Sequence, residues 1–189
     1  MGEGLPTIDA HCAGDAINLT ADNCTVKGFY CINANSSDLG NYAGIHVESS
    51  NNVIVDNTCN NNDMGIVLLR SSENIIANNI AKNNAEVGIT LNASNDNRIT
   101  ANDASNTIKY DGICLGSSDN NILTNNTVNS NIYGIYVARS SNNNIYLNHF
   151  TDNIPGGQHQ PGRNRYFCGK VRQQRHLAVD TTPRLVKLG

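Results

Sequence analysis

The sequence predicts an all-β fold, a right-handed single-stranded parallel β-helix wound as a solenoid of 22–24-residue coils, and three observations predict it. Asn is about a sixth of the 189 residues, Trp is absent and only 15% of residues are charged. A mixed helix and sheet domain needs Ala, Leu, Glu and Lys in quantity. The chain also repeats itself in register from Asn51 to Asn153. Within each repeat the aliphatic residues alternate with period two over short pieces, which is the spacing of strands.

Four consecutive units align, Asn51 to Ser72, Glu73 to Ser94, Asn95 to Ser118 and Asp119 to Ser141, and a fifth begins at Asn142. Each reads N-x-I-x-x-N-x-h-x-x-N, then a turn, then G-I-x-L, then Ser. The first aliphatic place holds Ile54, Ile76, Ile99, Leu123 and Ile145, and three residues on stand Asn57, Asn79, Asn102, Asn126 and Asn148. Cys59, Ala81, Ala104, Val128 and Phe150 follow, then Asn62, Asn84, Thr107, Asn131 and Asn153. Gly65, Gly88, Gly112 and Gly134 each precede an Ile. Length varies only between the last Asn column and this glycine.

A unit this short cannot bury its apolar side alone, but stacked coils can, each strand pairing with its equivalent about 4.8 Å away. The right hand follows from the handedness of parallel crossovers. The column Asn57, Asn79, Asn102, Asn126 and Asn148 is expected to form a structural ladder, left-handed in backbone at the corners and bonded amide to amide between coils. A helical solenoid fails because no stretch keeps apolar residues three and four apart, and the aliphatics do not match the leucine-rich pattern.

At the N-terminal side Ala16 to Leu19 resembles the G-I-x-L strand, Cys24, Val26, Phe29 and Cys31 take the next apolar places, and Phe29 stands where later units have Asn. The stretch Asn33 to Tyr42 is the largest insertion. Residues 1–153 carry 15 acidic and 6 basic side chains, residues 154–189 carry 1 and 7. Pro155, Gly156, Gly157, Pro161 and Gly162 break any strand after Asn153, so residues 154–189 are expected to be a basic, non-repetitive, poorly ordered tail. The run Arg163, Arg165, Lys170, Arg172 and Arg175 is a basic patch in composition, but no nucleic-acid partner is expected.

Six cysteines, Cys12, Cys24, Cys31, Cys59, Cys114 and Cys168, show no C-x-x-C spacing; they are expected mainly as small buried hydrophobes. No apolar run reaches the roughly 18 residues that span a bilayer. The first residues lack a signal-peptide pattern, so an export signal would lie outside this chain.

The segments T-I-D-A (Thr7 to Ala10), D-A-I-N-L (Asp15 to Leu19) and A-D-N-C-T-V-K-G-F (Ala21 to Phe29), with the N-x-I-x-x-N and G-I-x-L units after them, resemble the NosD-like, carbohydrate-binding and sugar-hydrolase class of parallel β-helix repeats. The resemblance covers most of residues 7–153. It implies an exported protein, extracellular, on the cell surface or periplasmic, but fold alone does not choose an activity.

Candidate sites follow from the outward positions of the G-I-x-L strands, His46, Val67, Thr90, Cys114 and Tyr136, with Glu48, Leu69, Asn92, Gly116 and Ala138 just beyond. Glycoside hydrolysis needs a carboxyl pair, and this face offers one carboxylate and one His. Asp56, Asp63, Asp103 and Asp111 sit at corners, where turn capping is the usual role. A copper site needs converging soft or imidazole ligands. His11 with Cys12 is the best local pair, and His46 and His149 reach it only under unusual stacking. Tyr133, Tyr136 and Tyr146 are the aromatic group able to stack on a sugar. N-x-S/T triplets at Asn18, Asn23, Asn35, Asn92 and Asn125 arise readily from Asn-rich corners.

The expectation is a non-catalytic secreted or cell-surface module, structural or carbohydrate-binding, without cofactor or metal. Its partners would be a polysaccharide or glycan and the neighbouring domains or coils of a larger protein. The alternatives are a polysaccharide lyase or glycoside hydrolase with catalytic coils partly missing, and a NosD-like periplasmic copper-associated protein. No residue is assigned a catalytic role.

Overall fold

The structure, a computed structural model, describes residues 4–35 and 41–153. Every coil supplies a strand or bridge to each of three parallel sheets. The first sheet stacks Ile17–Leu19, Ala43–Val47, Met64–Leu69, Val87–Asn92, Asp111–Gly116 and Tyr133–Ala138. The second stacks Thr25–Lys27, Val53–Val55, Ile75–Ala77, Arg98–Thr100, Ile122–Thr124 and Asn144–Tyr146. The third begins with Thr7–Asp9, Tyr30–Ile32 and Thr58–Cys59 and continues through single bridges from Thr58 to Ile80, Asp103 and Thr127. It ends with Thr127–Asn129 against His149–Thr151. This is a parallel β-helix, and among the described residues no helix is long and apolar enough to cross a membrane.

The register follows the sequence columns. Ile66, Ile89, Ile113 and Ile135 pair in turn, at steps of 23, 24 and 22 residues. Ile17 pairs with Ile45, a step of 28, and the insertion from Asn33 to Tyr42 lies in that coil. Residues 36–40 of it, like the basic segment 154–189, lie outside the described residues.

The inward columns fill the solenoid. Ile45, Ile66, Ile89 and Ile113, then Val47, Leu68, Leu91 and Leu115, then Ile54, Ile76, Ile99 and Leu123 are all fully buried, each contributing about 1.5–3 kcal/mol. Opposite them runs a column of smaller residues, Cys31, Cys59, Ala81, Ala104 and Val128. It is small because the glycines approach it. A Cβ on Gly88 would stand 2.8 Å from Ala104 Cβ and 2.6 Å from the Gly112 carbonyl. Of the five described cysteines only Cys31 and Cys59 are buried; Cys24 and Cys114 are half-buried and Cys12 is exposed.

The corners are turned by inward polar side chains. Asn79 Nδ2 donates to Ile54 O at 2.9 Å and to Asn102 Oδ1 at 3.0 Å. Asn102 Nδ2 does the same to Ile76 O and to Asn126 Oδ1, at 2.8 and 3.0 Å. Each Oδ1 also accepts the backbone N–H of the Asn one coil earlier, Asn57 to Asn79, Asn79 to Asn102, Asn102 to Asn126 and Asn126 to Asn148. At the N-terminal end the Phe29 N–H takes the same place and donates to Asn57 Oδ1 at 3.0 Å. Parallel columns run through Asn52, Asn74, Asn97, Asn121 and Asn143, and through Ser71, Ser94, Ser118 and Ser140.

The left-handed backbone sits elsewhere than the sequence suggested. Asp56, Asn78, Ala101, Asn125 and Leu147 have φ of 54 to 58°, each one residue before the buried Asn. The same offset recurs at Asn51, Glu73, Asp96, Asn120 and Asn142, and at Arg70, Ala93, Ser117 and Arg139. The preceding residue takes the sharp bend so that the next side chain can point inward.

Replacing Asn102 by Ala removes the acceptor of Asn79 and the donor to Ile76 O inside the core. Denaturant unfolding should show a loss of about 2–4 kcal/mol, while Asn92→Ala, at an exposed position, should stay within about 0.5 kcal/mol.

Candidate functional site

With every inward position given to packing, chemistry is left to the outer faces, and the first sheet carries two groupings. One is at the N-terminal end. Asp15 lies just before the strand Ile17–Leu19, and His46 is outward on the next strand, in register with Asn18. His46 Nδ1 donates to Asp15 Oδ2 at 3.0 Å, while the other carboxylate oxygen accepts the Ala43 N–H at 2.6 Å. Nε2 stands 3.6 Å from Glu48 Oε1 and makes no hydrogen bond. The bond to Asp15 raises His46 above 6.5; burial opposes this and Glu48 adds to it. Burial pushes Asp15 up, but the bonds from His46 and from the Ala43 N–H outweigh it and hold the carboxyl below 3.8.

The second grouping lies at the C-terminal coils. Asp111 opens one strand and pairs with Tyr133, which opens the next, and Cys114 pairs with Tyr136. The rings of Tyr133 and Tyr136 tilt at 38° with centroids 5.6 Å apart. With Tyr110 and Asp111 they line a cavity of about 80 Å³. That is too small a space to enclose a six-membered sugar ring. Burial, and next the negative charge of Asp111, push the Cys114 thiol up to about 12, so it stays a neutral thiol.

The candidates from the sequence divide accordingly. Tyr133 and Tyr136 come together, but Tyr146 lies on the second sheet, in register with Thr124, and does not line the cavity. It ends the strand after the next corner, so its backbone belongs to another side of the solenoid. The corner aspartates do not converge. Asp56 pairs with Lys27 at 3.4 Å and Asp103 with Lys82 at 2.6 Å. Asp63 and Asp111 lead into first-sheet strands two coils apart, roughly 10 Å by the strand spacing. His11, its backbone N–H bonded to Asp9 at 2.9 Å, His46 on the first sheet and His149 on the last third-sheet strand lie on separate coils.

Asp15 and Tyr110 were missed as site residues, and Asp111 was read only as a corner aspartate. The signal for Asp15 was its fixed offset before the G-I-x-L-like strand. For Asp111 it was alignment with Tyr133, the residue before the next glycine.

The fold defines a parallel β-helix protein, and both side-chain groupings lie on the outside of its first sheet. The family described as periplasmic copper-binding protein (NosD) matches residues 8–171, and the chain belongs to it. Among solved structures, a point mutant of the periplasmic alginate epimerase AlgG is similar with a TM-score of 0.52 and 26% identity, over 70% of this chain and 30% of that one. AlgG itself gives 0.52 and 24% over 75% of this chain and 39% of its own. The chain therefore spans well under half the length of these structures. No curated protein matches it.

The family description names copper, and the donors can be tested for it. Among the described residues no three His, Cys, Asp or Glu side chains group to hold a metal ion. The paired thiols Cys31 and Cys59 are sealed in the core, and His46 lies between two carboxylates. The described residues do not fit a copper site; His159, Cys168 and His176 lie outside them.

The His46 group carries a pH signature. The raised His46 pKa contributes stability that is complete below 6.5 and is lost as pH rises through the folded value. The lowered Asp15 pKa contributes stability present above 3.8 and lost as pH falls through its folded value. Denaturant midpoints of the protein and of His46→Gln should differ most between these two pH values and converge on the alkaline side.

Proposed function

We propose that this protein is a periplasmic β-helix module that binds a glycan on the outer face of its first sheet, without cleaving it. The observation that carries this is the platform of Tyr133 and Tyr136, with Tyr110 and Asp111 closing the cavity beside the rings. Tyrosine rings offer apolar faces to the C–H side of a pyranose, and the carboxylate accepts from its hydroxyls. A shallow, open site suits one stretch of a polymer better than a small molecule, which needs enclosure. The likeness to AlgG supports the reading, since that protein is named for a polysaccharide.

A non-catalytic role fits the scattering of carboxylates, because hydrolysis needs two within reach of one bond. Aromatic contacts contribute about 0.5–1.5 kcal/mol each beyond burial. Tyr136→Ala should therefore weaken retention on a glycan array roughly tenfold, and Tyr146→Ala should leave it unchanged. Release of new reducing ends from a bound polysaccharide would remove the non-catalytic reading; equal loss from both substitutions would remove the platform.

A further inference from the structure

Two neighbouring coils carry the same reactive group inside the core. Cys31 and Cys59 pair in register on adjacent parallel strands of the third sheet, both are fully buried, and their thiols share a hydrogen bond. Paired strands stand about 4.8 Å apart, inside the roughly 4.4–6.8 Å between Cα atoms that a disulfide bridges. Packing does not require sulfur here. Ala81 and Ala104 fill the same column in the next two coils and are as completely buried.

The two coils that these cysteines join are also tied differently from those that follow. In the first coil Cys24, Phe29 and Ala34 stand where later coils have inward Asn, and only their backbone N–H groups meet the amides of Asn52, Asn57 and Asn62. Asn57 gives its amide nitrogen to Asn79 of the next coil, but Phe29 has none to give to Asn57. The insertion from Asn33 to Tyr42 lies between the two cysteines.

We propose that Cys31 and Cys59 form a disulfide that staples the first two coils together across the insertion. The family is described as periplasmic, a compartment where disulfides form and persist, and the inference stands apart from glycan binding. The thiolate of one cysteine attacks a donor disulfide, either a small molecule or a protein of that compartment, and releases one donor thiol. The second cysteine then displaces the other donor thiol from the mixed disulfide. In sum the two cysteines give up two electrons and two protons, and the S–S bond of the donor is reduced to two thiols. Once the coils are docked, burial and next the hydrogen bond with Cys31 push the Cys59 thiol well up. The exchange therefore precedes docking, while the thiols still meet solvent.

The test refolds the full chain from denaturant in a buffer of oxidised and reduced glutathione, alkylates it under denaturing conditions and maps its peptides by mass spectrometry. No Lys or Arg stands between Cys31 and Cys59, so the digestion uses a protease that cuts at Asp and Glu. A Cys31–Cys59 crosslinked peptide should be the main disulfide species and should vanish on reduction. The linked protein should unfold with an equilibrium constant at least about tenfold smaller than the reduced protein. Cys31→Ala and Cys59→Ala, made together, should remove this dependence on reductant, and its persistence overturns the proposal. The peptide map of the unsubstituted chain decides the link even if that variant fails to fold. Alkylation of both cysteines after refolding, capture by glutathione alone, or linkage of either to another cysteine overturns the proposal, as does a linked protein no more stable than the reduced one.

Discussion

The inward amide at each corner is the constraint on which the rest depends. A parallel β-helix must turn its backbone within a few residues, and a turn facing the core leaves peptide groups without water. Asn is the side chain that carries an acceptor and a two-proton donor on a short arm. At Asn79 and Asn102 the oxygen takes the preceding coil's N–H, and the nitrogen gives to a preceding carbonyl and to the next amide. No charged residue does this without adding a buried charge, and no apolar residue does it at all.

That solution fixes the coil. Because every Asn must meet its counterpart one turn away, the stretch from the second sheet into the third keeps constant length, and extra residues are confined to the approach to the first sheet. The glycine at that sheet's leading edge follows from the same closeness. Asn84 and Asn131 amides stand 2.7 and 2.6 Å from where a Cβ on Gly65 or Gly112 would be. These glycines have ordinary φ; what they supply is the missing atom.

The columns were legible in the sequence because packing repeats, and repetition is visible without coordinates. Ile54 through Ile145 could be aligned by eye, and so could the Asn column that begins at Asn57. The left-handed residues were not, since Asp56, Asn78, Ala101, Asn125 and Leu147 share a backbone conformation and no chemistry. The site was less legible still. Asp15 reaches His46 across 31 residues, a separation set by the one coil whose length departs from the repeat. Tyr146 was grouped with Tyr133 and Tyr136 by closeness in sequence, which in a solenoid counts for little once a corner intervenes.

Inward and outward columns differ in a way that bears on function. In the first sheet the inward places repeat Ile and then Leu or Val in coil after coil. The outward place between them reads Asn18, His46, Val67, Thr90, Cys114 and Tyr136, six residues with no common character. Stacking tolerates any of them, because the pairing is made by the backbone and the burial by the neighbours on either side. A column free of the repeat on a frame otherwise bound by it can vary without cost to the fold. Its two polar groupings, at His46 and at Tyr136, stand four strand spacings apart, about 19 Å along the axis. A ligand meeting both would have to be a chain laid along the solenoid, and the backbone pairing of each first-sheet strand with the next holds that distance.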